Sequence, residues 1–506
     1  MMKVRTIILT LITLCTVSFT VQAANPVTEL DFYAISDLRG TIRAEENIPG
    51  IAKLAGVVEQ LRAQNPQGTV LLGGGNMIFG TLESNRNVGR PMVAAMNAMK
   101  FDADVIGTNL FDLPPQIFTE QLTKAHFPYV SCAVVPKTGK DAFKKYVIVQ
   151  RKGIKIGIIG VTTPRVLREA NPSNLEHFQF LDPYLEAPAA IRAARAAGAQ
   201  VIVALLHSQL KVRAYDGGVR GEAIRLLSQL KGVDICFAGS GQEVVNGKYL
   251  NIPVLQTGNR GRYIAHVRLG YDASSRKVLS AAADMIDVGL NSAAPDAALA
   301  EMARPVIAEI DQQFGDKLCV NMRPLTNDKF EQSSLAEYFT DRLRLAFGAD
   351  IAFINGGAFA APIPAGSVTA RQVEAAYPYM GKVVLLTLKG SDILDALDFG
   401  VDNQQIGQGR FSGIRLALEP DMPRHRRILD SIVGSTGQPL DPDRVYTVVT
   451  NDFLANGGDG FTMFKKALSR KEVAPDIKAF FRQALRQAGT IDYVSDRRWS
   501  VGKIRY

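Results

Sequence analysis

The chain has 506 residues and a formal net charge of +9, with 47% of residues hydrophobic and 21% charged. That balance is ordinary for a soluble protein, and the length suffices for two domains or more. The basic excess favours anionic ligands or surfaces in general terms. It is scattered over pairs such as Lys144-Lys145 and Arg426-Arg427, however, with no basic block interleaved with aromatics, which argues against nucleic-acid binding.

Residues 1–24 read as a secretory signal. Lys3 and Arg5 precede an apolar run over 7–21, and Ala23 and Ala24 offer a small-residue exit. The run is too short, and holds too many Thr and Ser, for a membrane anchor. Cys15 lacks the preceding small residue that a lipoprotein site needs. The mature protein is therefore expected to be exported, periplasmic or secreted, without a membrane anchor. Cys132, Cys236 and Cys319 remain after cleavage. Export permits a disulfide, but three cysteines leave one unpaired. Cys132 and Cys236 sit in strand-like runs as small buried hydrophobes rather than as a zinc site.

From Leu30 onward short apolar strands alternate with helical patterns. Strands are predicted over 30–35, 70–72, 105–106, 129–131, 154–161, 201–206 and 235–238, and helices over 50–64, 90–99, 115–125 and 188–197. This order predicts a layered α/β domain with helices packed outside the sheets. Chemistry in such folds sits where loops leave the strand ends. Those loops carry Asp37 and Arg39, then Asn76, then Thr108 and Asn109, then His207, then Ser240 and Gln242.

An Ala-rich stretch over 291–314, with Leu299, Met302, Val306, Ile307 and Ile310 at helical spacing, predicts a connecting helix. A Ser-capped helix over 333–348, a strand over 349–354 and a loop starting at Asn355 follow. Near the C-terminus a strand-like run over 445–449 leads into TNDFLANGGDGF, residues 450–461. Gly457 and Gly458 allow positive φ and close approach of backbone to a ligand. Phe453 supplies a flat apolar face, and Asp459 an acceptor for hydroxyls. A planar ring carrying a sugar suits that set; a Gly-rich surface turn with Phe453 in the core suits it equally.

The 450–461 segment resembles the C-terminal signature of the secreted 5'-nucleotidase family, roughly N-x-F-x-A-x-GGDGY, and the family's other motifs recur in order along nearly all of the mature chain. The resemblance implies an α/β protein in three parts. They are an N-terminal calcineurin-like metallophosphoesterase domain of layered α/β-β-α build (25–290), a linker helix (291–315), and a C-terminal 5'-nucleotidase α/β substrate-binding domain (316–506). It also implies nucleotide phosphomonoester hydrolysis by two divalent ions, Mn, Zn, Mg or Co, that clamp the phosphate oxygens and generate hydroxide.

The family loops read D-x-H-G, D-x-G-D, G-N-H-E, a lone His and G-H-x-H. Here Asp37 and His207 keep the expected residue, one for each metal. The His after Asp37 is Arg39, the bridging Asp is Asn76, and the amide ligand is Thr108. The His that stabilises the transition state is Asn109, and the two histidines of G-H-x-H are Ser240 and Gln242. Asn76 offers one neutral oxygen but not a bridging charge. A fixed cation at Arg39 repels a metal at short range by roughly several kcal/mol. The other four histidines, His126, His177, His266 and His425, lie outside these loops.

The expectation is that the usual dimetal centre is lost and no cofactor is held, unless an atypical metal site survives at Asp37, Asn76 and His207. His207 then becomes a satisfied buried histidine. Asp37 and Arg39 form a salt bridge or an anion-binding arrangement, or Arg39 is simply solvated. In the second half the family's N-G-G-G-x-R loop matches 355–360, with Ala360 where a phosphate-binding Arg is usual. The resemblance places Phe411 and Phe453 around a base, Asp459 on a ribose and Asn355 as a second polar contact; the alternative is that both Phe are core residues. The expected partner is a small nucleoside- or nucleotide-like ligand. The competing readings are an active phosphoesterase with an atypical metal site, and a structural or interaction protein.

Overall fold

The structure is a computed structural model. It describes residues 27–504 except 114, 138–142, 214, 216, 329–330 and 403–408, so the expected signal segment lies outside the described residues. Thr28–Ile35 runs parallel to Thr69–Gly73 and antiparallel to Tyr263–Asp272. These three belong to a six-stranded sheet completed by Lys277–Asp287, Ala103–Val105 and Tyr129–Val130. A second six-stranded sheet is ordered Val244–Tyr249, Ile252–Thr257, Ile235–Ala238, Val201–His207, Ile154–Thr162 and Tyr146–Arg151.

The two sheets face each other across a core that includes Phe32, Leu72, Ile156, Val203 and Phe237. Helices Gly50–Gln64 and Arg90–Ala98 bury the outer face of the first sheet. Pro183–Ala196 and Glu222–Leu227 bury that of the second. The central strands are thus covered on both faces, which is why they read as unbroken apolar runs rather than alternating ones. The helix predicted from residue 188 starts at Pro183, because Asp182 accepts the Tyr184 backbone N–H and Pro183 takes the first helical position, where its missing N–H costs nothing. Cys132, Cys236 and Cys319 are all buried free thiols.

Asp296 accepts the Leu299 backbone N–H at 2.7 Å and so starts the connecting helix at Ala297–Phe314, later than the stretch over 291–314 suggested. Beyond it, strands Gly409–Ser412, Ile351–Asn355, Val445–Asn451, Val383–Lys389 and Ser469–Ala474 form a five-stranded sheet in that order. Helices Ser334–Phe347, Ala370–Ala376 and Ile477–Ala488 cover one face through Phe339, Val373 and Phe481. Phe353, Leu386, Phe461 and Phe464 pack on the other. Among the described residues no helix is long and apolar enough to cross a membrane.

A charged clasp ties the two halves to the connecting helix. Glu83, 2% exposed, accepts Arg43 Nε at 2.9 Å and Arg371 Nη2 at 2.6 Å. Arg43 also reaches Asp311 at 2.6 Å, and Arg371 approaches the same carboxylate at 3.7 Å. The Phe314 ring lies under the guanidinium groups of Arg86, at 4.9 Å, and Arg482, at 5.6 Å. Both arginines converge on buried Glu374, which Lys478 meets at 2.8 Å.

Candidate functional site

Between the two halves lies a cleft of about 1050 Å³. The strand ends of the first half converge beneath one wall of it. Asp37 follows Thr28–Ile35, Asn76 follows Thr69–Gly73, His207 ends Val201–His207, and Ser240 follows Ile235–Ala238. Asp37, Asn76 and Ser240 have φ of +49°, +55° and +68°. Non-glycine residues seldom adopt this left-handed region, and such backbones cluster where a loop must hold side chains in fixed places.

Asp37 is fully buried and both of its oxygens are engaged. Oδ1 accepts Asn76 Nδ2 at 3.1 Å and Arg39 Nη2 at 3.3 Å, while Oδ2 accepts the Ser240 backbone N–H at 2.6 Å. Arg39 is therefore in a salt bridge rather than simply solvated. The orientation of the Asn76 amide follows from its other bond, since its Oδ1 accepts the Asn109 backbone N–H at 2.9 Å. Its NH₂ group, a donor, faces Asp37. The Asn109 side chain turns away and donates to the Phe79 carbonyl at 2.7 Å.

His207 is fully buried, and its Nδ1–H donates to the Gly74 carbonyl at 2.8 Å. Burial lowers its pKa despite the pull of nearby Asp37, so the ring is neutral and Nε2 carries a lone pair. Among the described residues that buried Nε2 has no hydrogen-bond partner, so the expected satisfied histidine is only half satisfied. Next to Ser240 stands Arg165, which donates to Ser240 Oγ at 2.8 Å and pairs with Glu169 at 3.4 Å.

On the opposite wall Asn355 ends the strand Ile351–Asn355 and donates from Nδ2 to Asp459 Oδ2 at 2.7 Å. Asp459 sits in the GGDG turn at φ +53°, with Gly457 at +84°. Burial pushes its carboxyl up to about 7, and the Asn355 bond offsets part of that. The Phe453 ring lies against Gly458, where a Cβ would come within 2.5 Å of it, so only glycine fits that close approach. Phe453 is half-buried and lines the cleft. The turn also meets the first half, where Asn456 Nδ2 donates to Asn171 Oδ1 at 3.2 Å.

Phe411 stands elsewhere. Its strand pairs antiparallel with Ile351–Asn355 in the register Phe353↔Phe411, so both rings point into the apolar core, and Phe411 is 8% exposed. In this arrangement Phe411 and Phe453 do not face each other across the cleft. The aromatics that line it beside Phe453 are Phe79, Tyr377 and Tyr379. Tyr377 and Tyr379 flank Pro378 in a Tyr-Pro-Tyr segment, and Phe79 follows Asn76 by three residues.

A double-sheet sandwich whose strand-end loops meet under a cleft roofed by a second α/β half defines a calcineurin-like phosphoesterase fold joined to a substrate-binding domain. The family described as "5'-nucleotidase, C-terminal domain" matches residues 306–466. The chain is 25% identical over 470 residues to a 5'-nucleotidase of Vibrio parahaemolyticus, covering 81% of this chain and 80% of that one. The crystal structure of a 5'-nucleotidase precursor from Thermus thermophilus superposes with a TM-score of 0.77 at 25% identity, over 94% of this chain and 99% of that one. This chain belongs to the 5'-nucleotidase family. A sulfate thiohydrolase of Thermus thermophilus shares the fold, with a TM-score of 0.71 at 17% identity over 94% of this chain and 97% of that one. Chemistry therefore has to be argued from the site, not from the architecture.

Proposed function

We propose that this chain is an exported, 5'-nucleotidase-like protein that binds a nucleoside- or nucleotide-type ligand in the interdomain cleft without the usual two-metal hydrolysis. The division into 25–290, 291–315 and 316–506 belongs to the same reading. The observation that carries it is the Asn76 amide, whose NH₂ group points at Asp37 where a bridging carboxylate oxygen would be needed. A divalent pair needs anionic oxygens, and when bound it supplies hydroxide and charge neutralisation. Asp37 instead spends its oxygens on three donors, one of them the Arg39 guanidinium. Among the described residues no group of three or more His, Cys, Asp or Glu is placed to hold a metal ion. The donor set does not fit two divalent cations.

What the chain's own groups can do is bind and orient. Phe453 offers a face for a planar ring, and stacking of this kind tolerates different bases. Asp459, fixed by Asn355, accepts hydrogen bonds from a sugar's hydroxyls. A second reading, an active phosphoesterase with an atypical site, is favoured by one observation: the unpartnered lone pair of His207 Nε2 beside Asp37. One experiment separates the two. Protein purified without chelator is analysed for metal and assayed on AMP, a UDP-sugar and a generic phosphoester with added Mn²⁺, Zn²⁺, Mg²⁺ or Co²⁺. The expected result is metal far below one equivalent and no turnover above background. Near-stoichiometric metal, with turnover abolished by Asp37→Ala or His207→Ala, establishes the second reading instead.

A further inference from the structure

From the ion pairing of the cleft wall, we infer that the ligand is an uncharged nucleoside-like molecule and that its phosphorylated counterpart is rejected; this rests on the binding role proposed above. Among the described residues five cationic side chains line the cleft, and each is already neutralised. Arg39 pairs with Asp37 at 3.3 Å, Arg165 with Glu169 at 3.4 Å, Arg260 with Glu45 at 3.1 Å, Arg371 with Glu83 at 2.6 Å and Lys478 with Glu374 at 2.8 Å. Eight carboxylates line the same cleft against those five cations, so it leans negative even with Asp459, pushed up to about 7, partly protonated. The chain as a whole has the opposite sign, +9.

Asp112 and Asp459, on opposite walls, form no ion pair with any cation among the described residues. Ala360 also lines the cleft and brings no charge to the loop that begins at Asn355. A phosphate dianion entering here meets no unpaired guanidinium or ammonium among the described residues that line the cleft, and must approach carboxylates inside a concave wall, where like charges are poorly screened. An uncharged ring and sugar meets nothing adverse. The Phe453 ring takes the base, and the Asn355–Asp459 pair supplies a donor and an acceptor for the hydroxyls. The arginines of the site therefore hold the loops together rather than hold a ligand.

The test is calorimetric titration of the mature chain with adenosine and with AMP, at low salt and at physiological salt. Adenosine is expected to bind at least about tenfold more tightly than AMP, with the gap narrowing as salt screens the repulsion. Ala360→Arg is expected to improve AMP binding about tenfold while changing adenosine binding little. This variant adds a cation at an exposed position and does not depend on the buried site tolerating change. AMP binding as tight as adenosine, or tighter, overturns the inference and leaves the binding role standing. Binding of neither overturns the binding role, and the inference with it.

Discussion

Glu83→Gln is expected to destabilise the protein by about 3 kcal/mol, because it removes the buried one of the two carboxylates that Arg43 and Arg371 share and leaves exposed Asp311 to hold both guanidinium groups. Glu83 is 2% exposed and accepts from Arg43 at 2.9 Å and Arg371 at 2.6 Å, one on each side of the interdomain seam. The thermal midpoint should fall by roughly 5 °C or more. An exposed control such as Arg304→Ala, which removes only a surface pair with Glu301, should move it by under about 1 °C. The pH dependence identifies the charge as the cause. Burial on its own would raise the Glu83 carboxyl, but bonds from Arg371, from its own backbone and from Arg43 together outweigh it, so the group is held below its ordinary 4.5. A lowered folded-state pKa gives stability that is present above the unfolded value and lost as pH falls through the folded one. The difference between wild type and Glu83→Gln should be full at pH 7 and shrink below about pH 4. A difference independent of pH would assign the loss to packing. Small-angle scattering should show a broader range of interdomain arrangements in the variant, since the same carboxylate joins both halves.

The clasp was invisible in the sequence for a physical reason: its partners are 40 and 288 residues apart, and nothing in the local pattern around Glu83 distinguishes it from an exposed acid on a short helix. The sheet sandwich was legible because strands buried on both faces write continuous apolar runs, and the loops after them carry conspicuous glycines and polar residues. Substitutions at the family's ligand positions could be read one by one, but not what the new residues bond to. That Asn76 presents its NH₂ group to Asp37 depends on the Asn109 backbone N–H, and that His207 keeps a bare Nε2 depends on the Gly74 carbonyl. Phe411 is the converse case, where the sequence left a ligand-facing and a core position both open. A motif placed it beside the ligand, and a strand register, Phe353↔Phe411, turns it into the core. The pairing of every cleft cation with a carboxylate is likewise a property of the assembled wall.

Asp459→Asn is expected to make the protein more stable and a poorer binder, and both effects should follow pH. Asp459 is 8% exposed and its carboxyl is pushed up to about 7, from an ordinary 3.8, chiefly by burial. A raised folded-state pKa means that stability is full below the unfolded value and lost as pH rises through the folded one. Wild type should therefore weaken between about pH 4 and 7, relative to a variant with no charge to bury. The variant should match wild type near pH 4 and exceed it at pH 8 by on the order of 2–4 kcal/mol. Asn355 can still donate to the oxygen that remains, so the turn keeps its 2.7 Å tie. Binding should move the other way. At pH 8 the ionised carboxylate is a stronger acceptor for hydroxyls than a neutral amide, and adenosine should bind the variant about tenfold more weakly. At pH 6 wild-type Asp459 is mostly protonated, and the two affinities should converge. A stability gain at pH 8 with unchanged adenosine affinity would make Asp459 a buried structural acid and remove it from the binding site. A loss of stability at pH 8 would mean that the charge is compensated within the turn. The expected pair of outcomes identifies a carboxylate that destabilises the fold above neutral pH and is useful only when a ligand's hydroxyls reach it.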